Sequence, residues 1–558
     1  MRRNYLFISI QKSMKKAITI NETDNLGVAL TDLSAGETAE INGKSVAVQQ
    51  DIQAKHKFAL EDLAVGDEMY MYGLVVGTAK TPIASGQAIT VENTAHKATE
   101  FSDQKEGEFH WTAPDVSRFE GRTFDGYHRT DGQVGTANNW LVFPLVFCEN
   151  RNILTLKKAF ETALGYEEAN PYNELASDLV RRLETGESLD DATLGQSSQQ
   201  SNKRLFENVE IKFITHQAGC GGTREDSDTL CRLLAGYLRN PNVAGATVLS
   251  LGCQNAQVSI LQDAIANSVG ELTKPLLIFD QQETGSEYDL VQSALKDTFK
   301  ALIEANKIER KPAPLSKLTI GLECGGSDGF SGISANPTLG HVSDMITALG
   351  GKAILSEFPE LCGVEQELIN RTENPAHAKK FIQLMRAYAK AAEDVGSGFD
   401  MNPSPGNIKD GLITDAMKSA GAAKKGGTSP VMDILDYTEY AEQSGLSLLC
   451  TPGNDVESTT GLVGSGANVV LFTTGLGTPT GNPIAPILKV SSNTKLAERM
   501  ADIIDFNAGE VIEGKKSIAE MGEEMLEYII NIASGTVASK AVLMRHEDFI
   551  PWKRGVSL

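Results

Sequence analysis

The sequence predicts an α/β protein with a small all-β module at its N-terminus, on three observations. From about residue 125 onward, apolar β-branched runs alternate with amphipathic helical stretches, the pattern of parallel strands joined by crossover helices. Residues 14–97 instead carry short β-leaning runs parted by glycine turns, with no long helical pattern. The chain has 558 residues, 41% hydrophobic and 22% charged, enough for several cores of ordinary globular composition.

Residues 1–13 read as an extension, because Met14 followed by Lys15-Lys16 could be the true start. The apolar run Tyr5–Ile10 is too short for a signal peptide and no small-residue cleavage site follows it. Within 14–97 the expected strands are Ala17–Ile20, Ser45–Val48, Glu68–Tyr72 and Ile89–Val91, with turns such as Asn42-Gly43-Lys44 between them. Residues 98–124 are polar and aperiodic and read as a linker. A middle α/β portion (125–312) follows, with strands at Leu141–Phe147, Val209–Thr215, Ala246–Leu251 and Pro275–Asp280. Its helices are expected at Asp226–Arg239, Ala256–Ser268 and Glu283–Ile308. The proline-bearing segment Glu309–Ser316 reads as a boundary to a second α/β portion (313–558). There, strands are expected at Leu318–Leu322, Ala353–Phe358 and Val469–Thr474, and a helix at Glu365–Gly396.

The net charge of −22 argues against nucleic acid and anionic membrane as partners, since both are bound through clustered Lys and Arg. No run approaches the length of a membrane helix. Seven cysteines, in a chain too large to need staples, argue against a disulfide framework and for a cytoplasmic protein.

Ligands of open parallel sheets collect beyond the carboxyl ends of the strands. Four cysteines fall there: Cys148, Cys220, Cys253 and Cys324, each beside glycines or polar groups. Cys231, Cys362 and Cys450 lie in apolar helical or strand contexts. The four are soft ligands for iron or zinc, or else small hydrophobes at strand ends. The segment Gly219-Cys220-Gly221-Gly222, with Arg224 behind it, fits an anion site at a helix N-terminus. It equally fits a tight turn needing positive φ. The loop from Asn402 to Asn407, leading to Lys409, presents amides and a cation, or is an ordered surface turn. Of the histidines, His56, His128 and His216 lie in loop-like contexts. No phosphate-binding loop has the right spacing: Gly475-Leu-Gly477 is followed by Pro479, and Gly461-Leu-Val-Gly464 precedes a strand.

Together these segments resemble the altronate dehydratase/galactarate dehydratase family of sugar-acid hydro-lyases, from about Asn21 to the C-terminus. The carriers are Thr23-Asp-Asn25, His56-Lys57, the segment from Asp131 to Gly135, Gly219-Cys220, Leu251-Gly-Cys253, the segment from Glu323 to Asp328, Ala335-Asn-Pro337, the segment from Asn402 to Asn407, and Gly477-Thr-Pro479. The resemblance implies a β-clip (SAF-type) domain at 14–97, a linker, a middle domain used for dimerisation, and a C-terminal Rossmann-like catalytic domain. It also implies dependence on iron, with Fe²⁺ expected, Mn²⁺ as an alternative and an iron–sulfur cluster left open. All four strand-end cysteines fall on cysteine positions of the family pattern. Glu357-Phe-Pro-Glu360, Gly363-Val-Glu365-Gln366 and the segment from Ile504 to Gly509 look more like altronate than galactarate dehydratases. Three positions depart from the pattern. Where the family has a histidine-rich segment near the end of the β-clip this chain has the stretch from Gly86 to Asn93, without histidine, and two positions usually basic in the family are Ala137 and Leu476.

The expected reaction is dehydration of D-altronate to 2-dehydro-3-deoxy-D-gluconate by a homodimer. Alternatives are another aldonate or aldarate such as galactarate, a sulfo-lyase, or a sugar-acid-binding protein without chemistry. On this reading His56 and His216 are acid/base candidates. Cys148, Cys220, Cys253, Cys324, Glu323 and Asp328 are candidates for metal, and Gly221, Gly222, Arg224, Asn407 and Lys409 for the sugar acid. Arg129, Arg151, Arg224 or Lys409 could replace the missing cations. Participation of His56 requires the β-clip to close over the sheet edge as a lid.

Overall fold

The computed structural model describes residues 15–166, 171–194, 204–269 and 272–557; the 1–13 extension lies outside them. The N-terminal module is built from short antiparallel strands: Ala17–Ile18, Leu26–Ala29 and Lys57–Ala59 in one sheet, the hairpin Thr38–Ile41 with Lys44–Ala47, and Glu68–Met71, Leu74–Ala79 and Thr94–Ala95 in a third. Two hairpins turn on consecutive left-handed residues, Asn42-Gly43 (φ 50° and 77°) and Tyr72-Gly73 (φ 61° and 77°), matching the twist of two-residue connections. A bulky residue at positive φ is strained, and Tyr72 has a compensating contact. Its hydroxyl plugs a notch made by Gly332 and Gly421, where a Cβ on Gly332 would come within 2.1 Å of the oxygen. The expected strand Ile89–Val91 is instead a turn after an isolated bridge at Ala88, held by Thr90 N donating to Asn93 Oδ1 (2.8 Å).

The 98–122 segment has no regular structure, yet it is fastened to the C-terminal portion. Phe119 is buried, Ser102 N and Glu106 N donate to Gln366 and Asn370, and Arg122 makes a two-pronged contact with Glu527. The proline-bearing boundary is also ordered: Lys311–Pro314 pairs antiparallel with Thr123–His128 as the edge of a three-stranded sheet, where missing N–H groups are tolerated.

The middle portion holds four parallel strands in the order Glu210–Phe213, Asn139–Pro144, Val243–Ser250, Leu276–Asp280. Successive residues of the central strand enter opposite cores, Trp140 and Val142 on one face, Leu141 and Phe143 on the other. Both faces are therefore covered, as parallel sheets require. The expected helix Glu283–Ile308 is broken at Gly285 (φ 96°) into Gln281–Thr284 and Glu287–Ala305, the second capped by Ser286. The C-terminal portion holds seven parallel strands, ordered Val431–Leu435, Gly445–Leu449, Lys352–Leu355, Thr319–Cys324, Val469–Thr474, Ile487–Ser491, Phe506–Asn507. Four of these seven carried no clear sequence signal. The expected helix Glu365–Gly396 is split into Glu365–Asn370 and Pro375–Glu393, because Pro375 starts a new helix under an Asn374 cap.

The two sheets share a core containing Leu141, Leu234, Leu462 and Phe472, and buried amides stitch the seam. Asn240 Nδ2 donates to Val463 O and Ala467 O (both 2.9 Å), and Asn242 Nδ2 to Asn468 O and Ile484 O (3.0 and 2.9 Å). The helices Arg224–Arg239 and Asp455–Gly464 touch at Gly236, where a Cβ would lie 2.1 Å from Gly464 O.

At the carboxyl edge of the four-stranded sheet, loops approach closely through glycine. Gly219 has φ +93°, and a Cβ there would stand 2.0 Å from Leu145 O. Gly219→Ala is expected to destabilise the protein by at least about 2 kcal/mol, summing left-handed strain and overlap with a carbonyl. Gly222→Ala, whose nearest neighbour is at 3.8 Å, is expected to shift stability by less than about 0.5 kcal/mol. Thermal and urea unfolding of the two variants checks the contrast.

Candidate active site

The carboxyl edge of the seven-stranded sheet is where the β-clip lands. After the strand Thr319–Cys324 the chain turns through Gly325 and Gly326 to Asp328, which is fully buried. Its Oδ1 accepts from Phe330 N (3.2 Å), Ser331 Oγ (3.0 Å) and Ser492 Oγ (2.8 Å). Its Oδ2 accepts from Asn493 Nδ2 (3.1 Å) and meets Lys55 Nζ at 3.0 Å. Lys55 also bonds Asp410 (2.9 Å), and against the burial that would lower it, Asp328 and Asp410 hold its pKa up. The next two residues dock as well: His56 Nε2 lies 3.1 Å from Lys409 O, and Lys57 Nζ donates to Gly411 O at 2.6 Å. Burial lowers the pKa of His56 and brings Lys57 down to about 7.

Deeper in the same edge lies a set of charged groups. Glu323 is fully buried, its Oε2 accepting from Ser356 Oγ and Ser458 Oγ (2.6 Å each), while Oε1 has no partner among the described residues. Burial, reinforced by Glu357, pushes its pKa well up. Glu357 sits at φ +69°, its N–H on Thr451 Oγ1 (2.8 Å), and such strain in a non-glycine residue marks functional sites. Lys425 Nζ stands 2.7 Å from Cys324 Sγ and 2.9 Å from Glu357, and Lys418 stands 2.7 Å from Glu360. Against burial, the two lysines hold Glu360 at about 2. Asp455, at the start of its helix, is raised to about 7 by burial and by Glu357 and Glu360. It closes on Gly325, where a Cβ would lie 2.1 Å from its Oδ2. Buried carboxyls shifted toward neutrality are the material of acid–base catalysis.

Cys324, Glu357 and Glu360 place three ligand atoms within 4.8 Å of one another, a thiol and two carboxylates that suit a divalent transition metal. The unpartnered Glu323 oxygen adds a further donor nearby. Lys425 provides the positive charge at this spot, so an ion would bind there only by displacing its ammonium.

The sequence-derived candidates divide. His56, Glu323, Cys324, Asp328, Asn407 and Lys409 gather at this edge. Asp328 has both oxygens filled and serves as an anchor. Asn407 is not on a free loop: it caps the short helix Pro405–Lys409 with Ser404 and donates to Ser327 O (2.7 Å). Cys148, Cys220, Cys253, Gly221, Gly222 and Arg224 sit on the other sheet's edge, because the strand bearing Cys324 belongs to the seven-stranded sheet. The four cysteines therefore do not converge on one edge. His216 is buried and lowered to about 4 by burial. Its Nε2 bonds Pro144 O (2.8 Å) and its Nδ1 accepts from Ala218 N (3.2 Å), which leaves no ring nitrogen for a substrate. Arg129 is likewise spent on Pro241 O, Asn138 and Ala137 O, and Arg151 is paired with Glu287 on the surface. Cys450 also follows a strand, Gly445–Leu449, but is buried. Sequence reasoning missed Lys55, Glu357, Glu360, Lys418, Lys425 and Asp455. The Glu357/Glu360 pair just beyond a strand was a usable signal, whereas the two lysines carry none.

Fold and site define an α/β enzyme whose active edge is covered by an all-β module. Residues 315–557 match the family described as D-galactarate/Altronate dehydratase, C-terminal. Residues 126–306 match D-galactarate dehydratase/Altronate hydrolase, second domain, and 15–97 the Altronate/galactarate dehydratase SAF domain. The chain is 34% identical to altronate dehydratase of Bacillus subtilis over 98% of its own length and 100% of the relative's. It is 32% identical to altronate dehydratase of Escherichia coli (97% and 99% covered) and 29% identical to galactarate dehydratase (L-threo-forming) of the same organism (93% and 92%). The chain belongs to the altronate/galactarate dehydratase family. Among the described residues no helix is long and apolar enough to cross a membrane.

Lys55→Met removes the one lysine that bridges lid and sheet edge through Asp328. It is expected to cost about 1–3 kcal/mol of stability and to accelerate amide exchange across 55–59, read by thermal unfolding and hydrogen exchange.

Proposed function

We propose that this protein is a hydro-lyase that dehydrates a sugar acid, D-altronate being the substrate its relatives favour. The observation that carries the reading is the docking of Lys55–Lys57 over the edge that bears Glu323, Asp455 and the paired lysines, in a chain matched end to end by altronate dehydratases.

Dehydrating a 2,3-dihydroxy acid removes the proton on C2 and expels the hydroxyl on C3 as water. The enol left behind becomes the 2-keto-3-deoxy acid, and no oxidant is consumed. The C2 proton is weakly acidic, so a base must be held against it and the leaving hydroxyl must receive a proton. His56 is neutral at pH 7 because burial lowers its pKa, and it takes the C2 proton from the lid. Asp455, held near 7, delivers the proton to the leaving oxygen. Lys409, exposed at the seam beneath His56, meets the substrate carboxylate. A divalent ion, Fe²⁺ on the family resemblance, held by Cys324, Glu357 and Glu360 would supply Lewis-acid stabilisation of the enediolate. The 14–97, 98–124, 125–312 and 313–558 segments then act as lid, strap, dimerisation domain and catalytic domain. The helix Pro171–Thr185 of the middle portion exposes Leu179, Val180 and Leu183, an apolar face suited to a second copy of the chain.

The deciding assay incubates reduced, Fe²⁺-loaded protein with a panel of aldonates and aldarates and follows 2-keto-3-deoxy product. Product from altronate is expected. Product from galactarate alone would move the substrate, and no product from any acid would sink the dehydratase reading. Asp455→Asn is expected to lower kcat about 10²–10⁴-fold. As an acid, Asp455 must be protonated, so kcat/KM should fall as pH rises through about 7, and this limb should vanish in the variant.

A further inference from the structure

Of the cysteines outside the site just described, three differ from the rest in being exposed: Cys148, Cys220 and Cys253. Free cysteine is among the most buried residue types, so three exposed thiols on one sheet edge need a reason. Adjacency follows from topology. Cys220, Cys148 and Cys253 follow the strands Glu210–Phe213, Asn139–Pro144 and Val243–Ser250, three parallel neighbours in that order. The three loops are then tied together. Phe147 N donates to Ala218 O (3.1 Å), Ala256 N to Gly219 O (3.1 Å), and Asn255 Nδ2 to Cys220 O (2.8 Å). The left-handed Gly219 lets the Cys220 loop lie against the backbone leading to Cys148, and the buried His216 pins the same two loops through Pro144 O.

The electrostatics point the same way. Each cysteine precedes a helix of twelve or more residues: Asn150–Leu164, Arg224–Arg239 and Val258–Val269. Three helix N-termini therefore face the group, and this favours thiolates and any anionic assembly built on them. By contrast, Cys324 has Lys425 at 2.7 Å. Three exposed thiols on adjoining loops suit a metal centre.

Spacing separates the kinds of centre. One ion with metal–sulfur bonds of about 2.3 Å holds its thiolates roughly 3.8 Å apart. Among the described residues, the three-ligand set found within 4.8 Å is Cys324, Glu357 and Glu360, so the three thiols stand farther apart than one ion needs. A cubane, which binds each thiolate through a different iron, spreads its ligands more widely. We propose that Cys148, Cys220 and Cys253 ligate three irons of a [4Fe–4S] cluster whose fourth iron has no cysteine and is open to an oxygen ligand. A cavity of about 280 Å³ opens beside Cys220, lined also by Phe147, Trp552 and Lys553. The assignment does not depend on which sugar acid is the substrate.

The test uses the full chain, isolated without oxygen and then reconstituted with ferrous iron and sulfide. Iron, acid-labile sulfide, visible absorption and the EPR spectrum after dithionite reduction are measured. About four sulfides per chain are expected, and about four irons besides any held at the Cys324 site, with a broad band in the visible and a reduced-cluster EPR signal. Cys148→Ser, Cys220→Ser and Cys253→Ser should each lose most of the band and the sulfide, and Cys362→Ser should keep both. Circular dichroism confirms that each variant is folded. Iron without sulfide, zinc in preference to iron after competition, or a full chromophore in the Cys148/Cys220/Cys253 triple variant would each overturn the proposal. None of these readouts requires turnover, so failure here is distinguishable from failure of the dehydratase reading.

Discussion

A carboxylate with no exposed surface and five donors on its two oxygens, Asp328, ties together parts of the chain that are far apart in sequence. Two donors come from its own turn, two from Ser492 and Asn493 just beyond the strand Ile487–Ser491, and one from the β-clip. An ionised group can stay in the interior only if it is fully hydrogen-bonded and paired. That requirement holds the lid in one place, because Lys55 can satisfy Asp328 only when the module lies on the sheet edge. Tyr72 in its glycine notch and Thr414 Oγ1 on Val76 O (2.6 Å) then fix the orientation.

The acidic surface and the chemistry of an anionic substrate are reconciled by where the lysines are. Lys57 and Lys425 are essentially buried, and Lys55 and Lys418 nearly so, all at one sheet edge and all opposite carboxylates or carbonyls. The net charge of −22 acts at long range and is screened within about a Debye length, whereas these cations act at contact distance.

Two parallel sheets joined by a shared core present two carboxyl edges, and the chain uses them differently. One edge is hard and charged, with carboxylates neutralised by ammonium groups under a lid. The other is soft and open, with three thiols before three helix starts. Putting Cys324 on the first edge and the other three on the second separates two kinds of ligand chemistry that share the same sequence signature, a cysteine after a strand and before glycines.

Alternating apolar runs were enough to read the parallel α/β architecture, the all-β start and the carboxyl-edge location of the polar motifs, because strand and helix periodicities are local properties of the chain. Family membership was legible for the same reason, its carriers being contiguous segments such as the one from Glu323 to Asp328. Tertiary structure alone decided which edge each motif joined. It also paired Lys418 and Lys425 with Glu357, Glu360 and Cys324, and it turned His216 and Arg129 from candidate catalysts into buried supports. Those outcomes depend on strand order and on burial. Both are set by contacts between residues from tens to hundreds of positions apart, and no local window of the sequence contains them.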